Sequence, residues 1–376
     1  MSTPNFNNLK TWIEIDSAAV KKNFRTIKSR LKSGTKLWSV VKSNAYGHGL
    51  LTFSKLANDL GVDGFCVDSV IEGAKLRDNY IRKPILVLGP TLPDLFAKAL
   101  QNDITVTISN FEILKKLAAS KYKPRFHLKI DTGMHRQGFY VEELSKVSRL
   151  ITNYQLPITG TYTHFASAKD INYPTYTEIQ FKKFLEAIKI LENSGGKNLI
   201  KHAAATGAVL INKKYHLDAV RVGMGLYGYW PSKELEMQIP GINFAPVLSW
   251  HVLVSEIKNL KKGDFVGYDL IERVNRPTKM AVLPIGYWHG FPRALSSIGQ
   301  VLISGKRARV LGRVSMDIIV VDVTDINCKV GSKATIIGNQ KSEEIPATEL
   351  AFQSGTTHYE AITRINPLIE RKTTNG

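Results

Sequence analysis

Residues 37–49 read LWSVVKSNAYGHG. A short apolar run, rich in valine and flanked by an aromatic residue, has the texture of a strand buried on both faces. It ends on Lys42, and the chain then turns through Ser43, Asn44, Tyr46 and two glycines before a helix-patterned segment. The same strand, polar mouth and helix recur along the first 225 residues or so. The strand-like runs are LWSVVK (37–42), GFCVDS (64–69), PILVLG (84–89), ITVTIS (104–109), FHLKID (126–131), TGTYTHF (159–165), LIKHAAA (199–205) and AVRVG (219–223). Between two of them EIQFKKFLEAIKILENSG places Phe181, Phe184, Leu185, Ile188 and Leu191 at helical spacing, with Gly195 as a stop. Eight successive βα units in one domain predict an α/β fold, a (β/α)8 TIM-type barrel; a doubly wound open sheet would give a similar pattern.

The texture changes after WPSKELEMQIPGINFAPV (230–247). Pro231, Pro240, Gly241 and Pro246 mark a linker. Beyond it, VLSWHVLVSEIKNL, KMAVLPIGY, GQVLISG, ARVLGRVSM, DIIVVDV and KATIIGN read as closely spaced strands with Gly-rich turns, and ATELAFQSG as one late helix. The expected organisation is a barrel domain over 1–240 followed by a mostly-β domain over 241–376. The first ten residues or so, ahead of an initial strand WIEID, would join the second domain.

The chain has 376 residues, and Lys plus Arg exceed Asp plus Glu by 51 to 32. A formal charge of +19 raises a nucleic-acid hypothesis. The basic residues are dispersed in pairs such as Lys21-Lys22 and Lys261-Lys262, however, and no zinc-finger or helix-turn-helix spacing appears, so a solvated basic surface is expected instead. No uncharged apolar run reaches the roughly 18 residues of a bilayer span. The N-terminus lacks a secretory apolar core, and a cytoplasmic protein is expected. The two cysteines, Cys66 and Cys328, fit no metal-ligand spacing and read as packing residues.

In barrels of this kind chemistry collects at the carboxyl ends of the strands. Those ends carry Lys42, the segment Asp131–Arg136, His164, Thr206 and Arg221–Gly225. A lysine at an apolar strand mouth is expected to be desolvated enough to lose part of its preference for the ammonium form, and a neutral amine forms a Schiff base with an aldehyde. Pyridoxal phosphate is the commonest aldehyde cofactor. Tyr46, Thr206 and the glycines of RVGMG could hold its phosphate. Taken alone, Lys42 reads as a snorkelling surface lysine; its neighbours reverse that reading.

VVKSNAYGHG, LKIDTGMHRQGF, YTHFASA, RVGMGLYG, VGYD, LPIGYWHGFPRALS, RVSMD and GTTHYEA follow one another as in the fold-type III alanine racemases, which the chain resembles over about residues 12–365. The resemblance implies an isomerase that interconverts L- and D-alanine with pyridoxal 5'-phosphate and supplies D-alanine for peptidoglycan. Lys42 would carry the cofactor and act as the base on one face. Tyr268 would be the base on the other face, contributed by the second subunit of a head-to-tail homodimer. Two bases flanking a planar centre invert it directly, whereas one base returns the proton to the face it came from. A tyrosine is a poor base at its usual pKa of about 10, so a positive neighbourhood, with His164 and Arg221 as candidates, must depress it.

By the same resemblance Tyr46, Thr206, Gly223, Met224 and Tyr359 would contact the phosphate. Arg221 would partner the pyridine nitrogen, and a guanidinium, which scarcely gives up a proton, would leave that nitrogen unprotonated. His164 would lie against the ring and His202 would support Arg221. Arg136 and the backbone of Met316 would bind the substrate carboxylate. Lys129 stands where many relatives carry a carbamylated lysine.

Blander readings remain beside these: His202 as a satisfied core histidine, Met224 as filler, Tyr359 as an aromatic on a helix. The chain departs from the family pattern at Ala205, where asparagine is usual, Gly267 for serine, His289 for aspartate and Ser315 for cysteine. The alternatives are a racemase of broader range, acting on serine or basic amino acids, and a non-catalytic pyridoxal-phosphate carrier. Such carriers resemble only the first domain.

Overall fold

The computed structural model describes residues 9–375. The chain groups into two compact units. One comprises Ala18–Ser43 and Phe53–Pro246; the other gathers the described residues up to Ser17, Asn44–Thr52 and those from Val247 onward. The boundary at Pro246 lies six residues beyond the division read from sequence, because the Pro-rich stretch up to Pro246 stays with the barrel.

Strand β1 (Thr11–Asp16) belongs to the second unit. In the first, β2 (Lys36–Val40), β3 (Gly64–Val67), β4 (Ile85–Pro90), β5 (Thr105–Ile108), β6 (Phe126–Lys129), β7 (Ile158–Tyr162), β8 (Ile200–Ala205) and β9 (Ala219–Val222) form a closed barrel. Every neighbouring pair is parallel, and closure is made by β2 on β9, with Trp38 opposite Arg221. Closure removes both free edges of the sheet. The expected eight-stranded barrel is therefore present. Its strands read as continuous apolar runs because helices cover the outside while side chains fill the inside; β3, β6 and β9 are buried at every position.

The long helix spans Thr175–Asn193 and buries Phe181, Phe184, Ala187, Ile188 and Leu191. Leu185, read from its spacing as part of that face, is 38% exposed. The helix stops at Ser194, and Gly195 takes a left-handed φ of 93°.

The second unit contains β10 (Leu248–Leu253), β11 (Glu256–Leu260), β12 (Phe265–Val266), β13 (Glu272–Arg273), β14 (Thr278–Leu283), β15 (Gln300–Ile303), β16 (Lys306–Arg309), β17 (Ile319–Asp322), β18 (Lys333–Gln340), β19 (Glu343–Ile345) and β20 (Glu370–Thr374). Its largest sheet runs β16-β15-β18-β10-β1-β20, with β19 on β18; β11-β14-β17 forms a second sheet. All pairings are antiparallel except β1 with β20. Two runs read as single strands are divided. VLSWHVLVSEIKNL breaks after Leu253 into β10 and β11, which join different sheets. ARVLGRVSM leaves β16 at Arg309 and turns at Gly312, where φ is 70° and a Cβ would lie 2.4 Å from the carbonyl oxygen of Val266. Besides the expected helix at Ala347–Gln353, a second spans His358–Thr363.

A partly buried carboxylate ties β1 to β10. Trp12 Nε1 donates to Glu14 Oε1 at 2.9 Å, and His251 Nε2 lies 3.4 Å from Glu14 Oε2. Burial pushes the Glu14 carboxyl up, but His251 and Trp12 outweigh it and hold the group at about 2.

Candidate active site

The carboxyl ends of the barrel strands bring together Lys42, Lys129, Arg136, His164 and Arg221. His164 feels the charges of Arg221, Arg136, Lys129 and Lys42 together. Arg221, on β9, is buried in the barrel. Its Nη1 donates to His202 Nδ1 at 2.5 Å and to the His202 carbonyl at 3.2 Å. Its Nη2 shares two N–H groups among three acceptors, the carbonyls of Thr163 (2.8 Å) and Ala203 (3.0 Å) and His164 Nδ1 at 3.2 Å. All five acceptors are neutral. Nε takes no partner among the described residues, so one directed N–H remains for an acceptor presented from outside.

His164 is partly buried at the mouth. Burial, followed by Arg221, pushes its pKa well below the ordinary histidine range, so the ring is neutral at pH 7. Of the two cations expected to depress a tyrosine, only Arg221 is therefore charged. His202 is fully buried and likewise pushed well down, first by burial and then by Arg221.

Lys42 opens the loop after β2. Its side chain is 37% exposed and its Nζ lies 3.9 Å from Asp68 Oδ1. The amine is thus partly open to solvent in the single chain. The next four residues adopt a conformation that their letters conceal: Ser43, Asn44, Ala45 and Tyr46 have φ of 55°, 55°, 52° and 52°. They form one left-handed helical turn without a glycine. Each such residue costs roughly 1–2 kcal/mol, and strain of this kind gathers at functional sites. Ser43 N–H donates to Glu72 Oε1 at 2.8 Å. Further on, Leu50 N–H donates to Asn44 Oδ1 at 2.8 Å and Gly49 N–H to the Asn44 carbonyl at 3.0 Å.

Lys129 ends β6 with 5% of its surface exposed and donates to Gln137 Oε1 at 2.9 Å. Burial, then the charges of Arg136 and Arg221, push its pKa down to about 8. Arg136 is exposed on a loop that Asp131 shapes: the carboxylate accepts from the N–H groups of Gly133 (2.9 Å), His135 (3.0 Å) and Arg136 (3.2 Å).

Thr206 begins the helix Thr206–Ile211, and its Oγ1 accepts from Gly225 N–H at 3.4 Å. Gly225 permits that approach; a Cβ there would lie 2.8 Å from Thr206 Cγ2. Gly223 precedes the short turn Met224–Tyr227, and the Met224 side chain is buried. Ala205 gives this helix no side-chain cap.

The remaining candidates lie in the second unit. The rings of Tyr46 and Tyr359 are 6.5 Å apart, and burial pushes Tyr359 up to about 12. Tyr268 is 69% exposed after Gly267, whose φ is 75°. Met316 is 55% exposed, and its carbonyl accepts from Trp288 N–H at 3.0 Å. At two departures from the family pattern the residues are locally satisfied. His289 Nδ1 accepts from Gly286 N–H at 3.2 Å, and Ser315 Oγ donates to the Ile318 carbonyl at 2.6 Å.

A closed parallel barrel with cations and a partly exposed amine gathered at the carboxyl ends of its strands is the architecture of a barrel enzyme. Similarity to known proteins narrows this class. The profile of the alanine racemase N-terminal domain matches residues 15–231, and that of the alanine racemase C-terminal domain matches 247–373. The alanine racemase of Halothermothrix orenii is 37% identical over 372 residues, covering 97% of both chains. That of Leptospira interrogans is 35% identical over 369 residues, covering 96% of this chain and 95% of the relative. The crystal structure of alanine racemase from Bacillus anthracis with bound L-Ala-P superposes with a TM-score of 0.93 at 33% identity, covering 99% of this chain and 96% of that one. The chain belongs to the alanine racemase family.

Proposed function

We propose that this chain interconverts L- and D-alanine with pyridoxal 5'-phosphate and two bases, Lys42 and Tyr268 of the partner subunit, as a homodimer. The observation that carries this reading is Arg221 at the barrel mouth, held by neutral acceptors alone, with Nε left over in a site that also feels Lys42, Lys129 and Arg136. The donor set fits the cofactor: an amine for its aldehyde, Arg221 Nε for its ring nitrogen, and Tyr46, Thr206, Gly223, Met224 and Tyr359 for its phosphate. When bound, the cofactor draws electrons from the substrate's α-carbon and so makes the α-proton acidic.

The chain's own residues do the rest. Lys42 Nζ exchanges the α-proton on one face, and Tyr268 Oη of the partner subunit exchanges it on the opposite face. Arg136 and the Met316 backbone of the partner subunit bind the substrate carboxylate. His164 packs against the ring as a neutral imidazole, and His202 holds Arg221. Lys129, pushed down to about 8, is neutral near pH 7 far more often than an ordinary lysine and is the candidate for carbamylation; the resulting anion would hold Arg136. Of the cofactor-binding residues, the barrel, read from sequence as 1–240, supplies Lys42, His164, Thr206, Arg221, Gly223 and Met224, while Tyr46 lies in the segment Asn44–Thr52 of the second unit. The β-rich domain over 241–376 supplies Tyr268, Met316 and Tyr359.

Two further features support the reading. The second family domain matches residues 247–373, nearly all of the long C-terminal segment of the second unit, which a carrier limited to the barrel would lack. Tyr268, Leu270, Trp288, Met316 and Ile318 are 45–69% exposed, and such large apolar side chains suit a subunit contact. No helix among the described residues is long and apolar enough to cross a membrane. On this reading the enzyme works in the cytoplasm and supplies D-alanine for peptidoglycan.

Borohydride reduction of the holoenzyme followed by peptide mapping tests the anchor, and a pyridoxyl label on Lys42 is expected. Tyr268→Phe should retain the label and lose racemisation in both directions by about 10²–10⁴-fold. A label elsewhere, or full activity in that variant, would overturn the proposal. Faster turnover of serine, lysine or arginine than of alanine would move the substrate assignment to the broader alternative.

A further inference from the structure

Strand β6 carries an imidazole to which the mechanism above gives no task. His127 is 2% exposed, with Nδ1 2.8 Å from His202 Nε2. His202 Nδ1, in turn, is the atom that meets Arg221 Nη1. These contacts assign the donors and acceptors. A guanidinium has only N–H groups to offer, so His202 Nδ1 must accept. A neutral imidazole has one donor and one acceptor, so the His202 proton sits on Nε2 and is donated to His127 Nδ1. His127 then carries its own proton on Nε2. Both rings are neutral: burial, and after it Arg221, pushes His127 down to about 3 and His202 well below its ordinary value.

The surroundings fix the ring planes. Tyr162 stacks on His202 at 4.8 Å with an interplanar angle of 6°. Trp38 lies tilted against His127 at 5.6 Å and His202 at 5.1 Å. Room for His127 comes from Gly160 on β7, where a Cβ would lie 2.6 Å from both Cε1 and Nε2 of the imidazole.

We propose that His127 is a positioning residue for racemisation: it accepts the His202 Nε2 proton inside the barrel, fixes the tautomer that presents a lone pair to Arg221, and thereby sets the direction of Arg221 Nε–H. The inference rests on the functional reading above, in which Arg221 meets the cofactor. Without the acceptor at position 127, His202 can move its proton to Nδ1, where it would oppose an Arg221 N–H and break the bond that orients the guanidinium.

Selective ¹⁵N-histidine NMR of the full chain, with and without pyridoxal phosphate, reads the tautomer directly, with His202→Gln assigning the signal. In the wild type His202 should be neutral and protonated on Nε2. His127→Asn, whose Oδ1 replaces the lost acceptor, should keep that tautomer and most of kcat. His127→Leu should mix the tautomers and lower kcat roughly tenfold with a smaller change in KM, the scale expected when a buried donor loses its partner. A wild-type His202 protonated on Nδ1 would overturn the proposal, as would a His127→Leu variant with unchanged tautomer and kcat. If the leucine variant does not fold, the wild-type tautomer and the asparagine variant decide. A tautomer that depends on position 127 in a protein unable to racemise alanine would overturn the functional reading and leave the relay standing.

Discussion

At Glu14 a single carboxylate is bound more tightly in its ionised form than its burial disfavours. Its pKa is held at about 2 against an ordinary 4.5, because His251 and Trp12 bind the anion more strongly than burial disfavours it. The folded state therefore prefers the ionised form. That preference is fully present above pH 4.5 and is lost as the pH falls from there towards 2. Allowing for partial solvent screening, it is worth on the order of 2 kcal/mol. Glu14→Gln should lower the denaturation midpoint at pH 7 and narrow its gap to the wild type at about pH 3. An equal gap at both pH values would mean that the charge on Glu14 contributes nothing. Little of this is legible in WIEID, since alternation along a strand says which residues face inward but not which partner a distant strand presents. The inward-facing His127 in FHLK escapes a sequence reading for the same reason, although a polar residue within an otherwise apolar barrel strand is a signal that could mark it.

Among the elements, barrel strands and loop geometry differ most in how far the letters reveal them. The eight strands stand out because burial on both faces demands an unbroken apolar run, and the polar residues at their ends mark one face. The left-handed turn at 43–46 does not, because Ser-Asn-Ala-Tyr lacks the glycines that ordinarily signal positive φ. Neighbouring structure must enforce it. Within the second unit, Gly47 has φ of 85°, and a Cβ there would lie 2.0 Å from the Ile362 carbonyl oxygen; Arg371 Nε donates to the Gly47 carbonyl at 3.1 Å. Ser43 is exposed, so Ser43→Gly should relieve strain without opening a cavity and stabilise the protein by about 0.5–1 kcal/mol. Gly47→Ala should destabilise it by more than that. Thermal melts of the two variants should move in opposite directions, and a fall for both would mean that the turn is not strained. The misread ARVLGRVSM has a similar cause: its apolar letters continue, but the backbone turns at Gly312.

On the scale of the whole molecule, the proposed catalysis is a property of two chains. Lys42 and Arg221 belong to the barrel unit, whereas Tyr268 and Met316 lie exposed in the other unit. An exposed tyrosine has no means of excluding water by itself, and the apolar side chains around it in sequence are suited to a second copy of the chain. The family resemblance makes this arrangement readable in the sequence as an expectation. The formal charge of +19 taken alone raises nucleic acid, but its dispersal in pairs reads as a solvated basic surface, and a few of the cations gather around His164 at the barrel mouth.

The most direct measurement mixes two inactive variants, Lys42→Ala and Tyr268→Phe, by co-refolding with pyridoxal phosphate, and follows racemisation of alanine. Random pairing makes half of the dimers mixed, and each mixed dimer has one site with both bases intact, so activity should return to about a quarter of the wild-type level. Mixed dimers that form and remain inactive would contradict an active site shared between subunits.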